Sequence, residues 1–299
     1  MPDQLRHAIL GAGGVGGLIG ACLARSGAPV TMVVRAAGLA EYPQQLQLES
    51  PFGNFTVPVA KGAEVPSCDV LWLTVKATQL EDSLAAVKNP EAVGAIVPLL
   101  NGIDHLAFLR SRYGNERVIP ATIAVESERV APGHIVHRSS FARLNVASTG
   151  RALLASTLDA LQKLGFESRF IEHEQTLMWS KLVFLGPFAL TTTASDKGTG
   201  EILSDPHWRD LGMACIREAC AVAVAEGAPL KAEAVIAGLA KMPGNMRSSM
   251  QKDVEQGRTP ELDAIAGPIL RGAERHHIDI PATRNLVAAV EERVNAQMR

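Results

Sequence analysis

A single lysine interrupts an apolar stretch in the second half of the sequence. Residues 177–188 read LMWSKLVFLGPF, and Lys181 is the only charged residue among them. Burying an ammonium group is costly unless a partner pairs with it or a reaction uses it. Lys181 therefore either belongs to a polar site or extends its long side chain from a helix to water.

A glycine-rich turn lies near the start of the sequence. Gly11, Gly13 and Gly16 fit the pattern G-x-G-x-x-G, after the predicted strand RHAIL and at the start of the predicted helix GVGGLIGACLARSG. The first glycine of this pattern permits a tight turn, the second admits a pyrophosphate, and the third lets helix and strand pack closely. The helix N-terminus also favours phosphate charge. The pattern predicts a dinucleotide site; the alternative is a glycine-rich turn without a ligand.

The second predicted strand, PVTMVVR, ends in an arginine. An acid roughly 20 residues after the glycines would bind the ribose of NAD, but no acid occurs between the glycines and Glu41. The planar guanidinium of Arg35 suits the 2′-phosphate of NADP instead. The sequence therefore favours NADPH over NADH, unless Arg35 is a solvated loop charge.

Two polar residues close further predicted strands. Lys76 ends CDVLWLTVK and Asn101 ends GAIVPLLN. Ligands of open α/β sheets bind at the carboxyl ends of the strands, so we expect both residues near the cofactor. A loop lysine and an ordinary Asn-Gly turn are the alternatives.

Strands and helices alternate in the first half, whereas long amphipathic helices fill the second. This order predicts an α/β fold, with an N-terminal Rossmann-type doubly wound sheet followed by an all-helical C-terminal domain. We place the domains at residues 1–171 and 172–299, packed closely around a cleft. Residues 122–148, around Pro132-Gly133, are predicted to form antiparallel hairpins at the edge of the sheet.

Composition excludes several classes of function. The formal net charge of −2 gives no basic surface for nucleic acid or membrane. Four scattered cysteines without a C-x-x-C pair indicate reduced core thiols, and the eight histidines form no metal-ligand pattern. Residues 8–24 are uncharged but contain six glycines, which argues against a membrane span. We expect a soluble, cytoplasmic monomer or homodimer that acts on a small molecule.

Together these motifs make the chain resemble the ketopantoate reductase (2-dehydropantoate 2-reductase) family over nearly its whole length. The similar stretches are GAGGVG, VVR, VKATQ, LLNG, WSKL and HHIDIPAT. The most specific is SSMQKDVEQGRTPELDAIAG, which combines Ser-Ser-Met with Thr-x-Glu-hydrophobic-Asp at the spacing of the family.

The resemblance implies catalytic roles for two residues and a substrate-binding role for a third. Lys181 matches the general acid that protonates the developing alkoxide, and Glu261 the carboxylate that supports this lysine and binds a substrate hydroxyl. Ser249 matches the serine that holds the substrate carboxylate. For Glu261 an alternative exists, because Thr259-Pro260-Glu261 also has the pattern of a helix N-cap, a first-turn proline and a first-turn acid.

The resemblance also implies binding roles. Asn101 and Lys76 match residues near the nicotinamide and the substrate, and Arg35 and Gln79 match residues that bind the adenosine end of NADPH. The implied cofactor is NADPH/NADP and the implied substrate is a 2-oxo acid.

The sequence departs from the family one and two helical turns after Lys181. The family usually has asparagines there, and this chain has Leu185 and Ala189. Both positions are expected to face the substrate, and Gly186-Pro187 between them to kink or end the helix.

We therefore hypothesise NADPH-dependent reduction of ketopantoate to (R)-pantoate, for pantothenate and coenzyme A biosynthesis. A reductase of a less polar 2-oxo acid and a non-catalytic NADPH-sensing protein are the alternatives.

Overall fold

A parallel sheet organises the first part of the chain. Its strands, in order across the sheet, are β5 (Ala60–Gly62), β2 (Val30–Val33), β1 (His7–Leu10), β6 (Cys68–Leu73) and β7 (Val93–Pro98). Every neighbouring pair is parallel. All four residues of β1 are buried, as expected for a strand inside a sheet that is covered on both faces.

Two smaller sheets are formed by other strands from the same part of the chain. One joins β4 (Phe55–Pro58), β3 (Gln45–Glu49), β10 (His134–His137) and β9 (Ser127–Ala131). The other joins β12 (Glu167–Ile171), β11 (Arg143–Ala147) and β8 (Ala121–Ala124). The hairpin around Pro132-Gly133 is confirmed, since β9 and β10 are antiparallel. Its predicted place at the edge of the parallel sheet is wrong, because β10 pairs with β3 through a long-range contact that no local pattern shows.

Among the described residues, this part contains the helices α1 (Gly14–Arg25), α2 (Leu80–Ser83), α3 (His105–Tyr113) and α4 (Arg151–Gln162). Leu18 and Ile19 of α1 and Met32 of β2 are fully buried in one core. Burial of each such side chain contributes about 1.5–3 kcal/mol. This packing fixes the glycine turn that joins β1 to α1.

The rest of the chain is helical. Its helices are α5 (Glu174–Ser195), α6 (Thr199–Ser204), α7 (Pro206–Ala225), α8 (Ala232–Leu239), α9 (Ser249–Glu255), α10 (Leu262–Arg275) and α11 (Pro281–Gln297). Between residues 172 and 297 there is no strand. The predicted Rossmann-type α/β fold followed by an all-helical part is thus confirmed.

The predicted early end of the helix at Gly186-Pro187 is wrong, because α5 continues through Pro187 to Ser195. Phe188 and Ala189, on the far side of the proline, are buried in apolar clusters. A proline inside a helix costs about 3 kcal/mol, and core packing on both sides offsets this cost.

The computed structural model describes residues 4–297. The chain divides into two compact units. The first unit contains the chain up to Leu100 together with His105–Leu177. The second contains Asn101–Asp104 together with the chain from Met178 onward. The short segment Asn101–Asp104, although it follows a strand of the parallel sheet, therefore belongs to the helical unit.

The four cysteines, Cys22, Cys68, Cys215 and Cys220, are buried and unpaired, as predicted for core thiols. Burial raises the pKa of each thiol, to about 12 for Cys22 and Cys215 and to about 11 for Cys68 and Cys220. Within the described range, no helix combines the length and the hydropathy that crossing a bilayer requires.

Candidate active site

The glycine turn has the shape that a dinucleotide requires. Gly11 has φ +112°, and a Cβ there would lie 2.8 Å from the carbonyl carbon of Thr74. A Cβ at Gly16 would collide with the carbonyl oxygen of Gly11. A Cβ at Gly13 would instead project into open space, with nothing within 4 Å. Two of the glycines are therefore needed for packing, and the third leaves the first turn of α1 open to a phosphate.

A hydroxyl that the sequence analysis missed holds this turn. The Thr74 Oγ1 donates a hydrogen bond to the Gly11 carbonyl at 2.7 Å and lies 3.2 Å from the Leu10 carbonyl. Thr74 directly follows β6, which neighbours β1 in the sheet. The sequence pattern that indicates such a residue is a threonine directly after a buried strand that neighbours the glycine turn.

Three predicted cofactor residues follow strands that neighbour one another. Arg35 comes two residues after β2, and Lys76 and Gln79 come shortly after β6. Because β2, β1 and β6 are adjacent and parallel, their carboxyl ends share one edge with the glycine turn. The Arg35 side chain is exposed. The open glycine turn and the exposed guanidinium at this edge fit the phosphates of a nicotinamide dinucleotide.

The second unit brings together three of the predicted site residues. The Lys181 ammonium donates a hydrogen bond to Asn101 Oδ1 at 3.0 Å. Asn101 Nδ2 in turn donates to Glu261 Oε2 at 3.0 Å. The two bonds fix the orientation of the amide, because only its oxygen can accept from an ammonium and only its nitrogen can donate to a carboxylate. Asn101 therefore connects the cation to the anion.

The electrostatics of Lys181 suit proton transfer. Burial lowers the pKa of its ammonium from 10.5 to about 8, while the Glu261 carboxylate acts in the opposite sense. Glu261 itself is only 7% exposed. A group that titrates close to the working pH can both give and regain a proton. Lys181 is thus bound inside a polar site, and the alternative of a side chain extended to water does not hold.

Each of these three residues lies on, or close in sequence to, a helix or strand of the fold. Lys181 lies on α5 between Trp179 and Leu182, which are almost fully buried in the core of the second unit. Glu261 immediately precedes α10, and Asn101 follows β7. Gly102 has φ +80°, so the chain bends directly after Asn101.

The predicted start of α10 is wrong. The helix begins at Leu262, and Glu261 rather than Thr259 is its N-cap residue. The Glu261 side chain makes no capping hydrogen bond. Its carboxylate accepts the hydrogen bond from Asn101 instead. The cap pattern therefore does not account for Glu261.

Ser249 and the two departures from the family pattern take different positions. Ser249 is the first residue of α9 and is exposed, whereas Ser248 caps that helix. Leu185 is partly buried and packs against an apolar cluster that contains Ala189, Met250 and Ile265. Ala189 is 0% exposed, so the prediction that it faces a substrate is wrong. It lies on the core side of α5, in a buried apolar cluster.

Comparison with known proteins identifies the family. The profile described as Ketopantoate reductase PanE/ApbA matches residues 7–150, and the profile of its C terminal domain matches residues 174–294. A 2-dehydropantoate 2-reductase of Caulobacter vibrioides is 31% identical, over 94% of this chain and 96% of the relative. The chain belongs to the ketopantoate reductase family.

Solved structures agree in fold with this member of the ketopantoate reductase family. A PanE/ApbA family ketopantoate reductase from Ralstonia eutropha JMP134 has a TM-score of 0.87 and 26% identity, covering 99% of this chain and 100% of that one. D-mandelate dehydrogenase, solved with NADH and anilino(oxo)acetate, has a TM-score of 0.85 and 22% identity, with the same coverage. At 22% identity, the similarity to D-mandelate dehydrogenase shows only that the two proteins share a fold.

Proposed function

We propose that the chain is an NADPH-dependent 2-oxo acid reductase whose leading substrate is ketopantoate, reduced to (R)-pantoate for pantothenate and coenzyme A biosynthesis. The observation that carries the proposal is the series of hydrogen bonds from Lys181 through Asn101 to Glu261. It joins a proton donor of suitable pKa to a carboxylate within a member of a reductase family. A protein that only senses NADPH has no need of such a donor.

The residues of the first unit would hold the cofactor. The backbone of the turn at Gly11, Gly13 and Gly16 would bind the pyrophosphate, and Arg35 with Gln79 the adenosine end and its 2′-phosphate. Lys76 would lie near the nicotinamide. When bound, NADPH supplies the hydride that reduces the keto carbon.

The residues of the second unit would handle charge and protons. Reduction of a ketone builds negative charge on its oxygen, and the Lys181 ammonium stabilises this charge and then donates a proton to it. Asn101 and Glu261 keep the ammonium oriented, and Glu261 accepts a hydrogen bond from a substrate hydroxyl. Ser249 would bind the substrate carboxylate.

One observation favours a less polar substrate. Leu185, one turn after Lys181 on α5, packs on an apolar cluster where the family usually provides an asparagine. A site without that amide loses a partner for the distal hydroxyl of ketopantoate. Discrimination between substrates with and without the hydroxyl then weakens.

The function is tested by steady-state rates with NADPH on ketopantoate, trimethylpyruvate and an aryl 2-oxo acid. Trimethylpyruvate is ketopantoate without its distal hydroxyl, so the pair isolates recognition of that group. We expect kcat/KM for ketopantoate to exceed that for trimethylpyruvate at least about tenfold. Faster turnover of trimethylpyruvate or of the aryl acid would favour the reductase of a less polar 2-oxo acid. Absence of turnover with all three would favour the non-catalytic NADPH-sensing protein.

The rate of reduction is expected to fall as the pH rises through about 8. The proton donor is the Lys181 ammonium, whose pKa burial lowers to about 8, so the donating form is lost above that pH. Oxidation of the corresponding 2-hydroxy acid needs the neutral amine and should rise through the same pH. Initial rates of reduction and of oxidation, measured from about pH 6 to about pH 10, test the two expected trends. A reduction rate that stays constant over this range would contradict the assignment.

A further inference from the structure

The segment Asn101–Asp104 is attached to α10 at three points. Asn101 bonds to Glu261, the residue before the helix. The backbone at Gly102 lies against Ala264, in the first turn. Asp104 forms an ion pair with Arg271, in the third turn. The segment that carries the amide beside Lys181 is thus fixed along one face of a helix.

Gly102 makes the close approach possible. A Cβ at this position would collide with the carbonyl oxygen of Ala264, and the backbone there has φ +80°. Both conditions favour glycine. Any side chain at position 102 would push the segment away from the helix.

Arg271 binds two carboxylates at once. Its Nη1 donates to Asp263 Oδ1 at 2.7 Å, and its Nη2 bonds to Asp104. Asp263, Gly267 and Arg271 are spaced four residues apart on α10, so they share one face. A Cβ at Gly267 would clash with both the guanidinium and the Asp263 carboxylate. Because Gly267 has no side chain, the Arg271 guanidinium can lie against the helix at this point. From there it reaches Asp104.

We propose that Arg271 is a positioning residue of the proposed reductase. By holding Asp104, it fixes the segment that carries Asn101 and so keeps the Asn101 amide between Lys181 and Glu261. The proposal rests on the proposed function. Its effect is on turnover, because exposed ion pairs contribute little to stability, while small displacements of groups that orient a catalytic residue can greatly slow a reaction.

The test compares Arg271→Gln and Asp104→Asn with the wild type. Each substitution is expected to lower kcat roughly ten- to a hundredfold, with the KM for NADPH and the melting temperature nearly unchanged. Arg275→Gln is the matched control, since it makes the same change at an exposed arginine of α10 that pairs with Glu226 and not with Asp104. Its kcat should stay within about twofold of the wild type.

A double-variant experiment shows whether Arg271 acts through Asn101. In an Asn101→Ala background, Arg271→Gln should cause no further loss of kcat, because residues that act through one another are not additive. An independent further loss would overturn the proposal. So would a wild-type kcat in either single variant.

The outcomes also separate this proposal from the proposed function. Absence of turnover in the wild type would refute the reductase itself, whereas an active wild type with equally active Arg271→Gln and Asp104→Asn refutes only the positioning role. Asp104 is exposed, so Asp104→Asn decides the question if Arg271→Gln does not fold.

Discussion

Lys181→Ala is expected to lower kcat for 2-oxo acid reduction by roughly two to four orders of magnitude. The substitution removes the proton donor and leaves Asn101 Oδ1 without the ammonium that it binds in the wild type. The dissociation constant of NADPH should change little, because the glycine turn and Arg35 belong to the other unit. Steady-state kinetics and a fluorescence titration with NADPH measure the two quantities separately.

Lys241→Ala is the control for this experiment. Lys241 is an exposed lysine of the same unit, just after α8, so the variant repeats the change of charge and size at a lysine with no proposed role. Its kcat should equal that of the wild type. Normal turnover by Lys181→Ala, or weak NADPH binding as its only defect, would contradict the role of proton donor.

Arg35→Asp is expected to reverse the cofactor preference from NADPH towards NADH. The variant loses a planar donor group for the 2′-phosphate and gains a carboxylate that repels the phosphate but can bind a ribose hydroxyl. Each lost charge-assisted hydrogen bond is worth about 1.5–3 kcal/mol. The ratio of kcat/KM for NADPH to that for NADH should therefore fall by roughly two orders of magnitude.

Arg112→Asp makes the same change of charge at another exposed arginine of the first unit. If the general field of the protein selected the cofactor, this variant would show a similar shift. We expect no shift. An unchanged preference in Arg35→Asp would remove the assignment of Arg35 to the 2′-phosphate.

Local patterns were sufficient for four strands of the parallel sheet, but not for its short edge strand β5. The glycine spacing, the apolar run of β1 and the helix that follows are properties of neighbouring residues, and they gave the β1–α1–β2 order correctly. β3 was missed although Leu46 and Leu48 alternate with glutamines, which is the pattern of a half-buried strand. Its partner β10 lies far along the chain, and no local pattern could have shown that pairing.

The candidate site depends on distant residues. Lys181 is 80 positions from Asn101, and Glu261 is 160 positions from it. The rule for strand ends predicted Asn101 near a cofactor, and only the family resemblance joined it to the other two residues. The spacing of Asp263, Gly267 and Arg271 is visible in the sequence, whereas their partner Asp104 is 167 positions from Arg271. Contacts between residues this far apart in the sequence depend on the complete fold, and residue types alone do not predict them.

The buried cysteines have a practical consequence. The thiolate is the form that alkylating reagents and peroxide attack, and thiols with pKa values of about 11 to 12 contain almost none of it at neutral pH. All four native cysteines should therefore stay unmodified in the folded protein. A single cysteine introduced on the surface would then accept a spectroscopic label without background, and the movements of either unit during turnover could be followed.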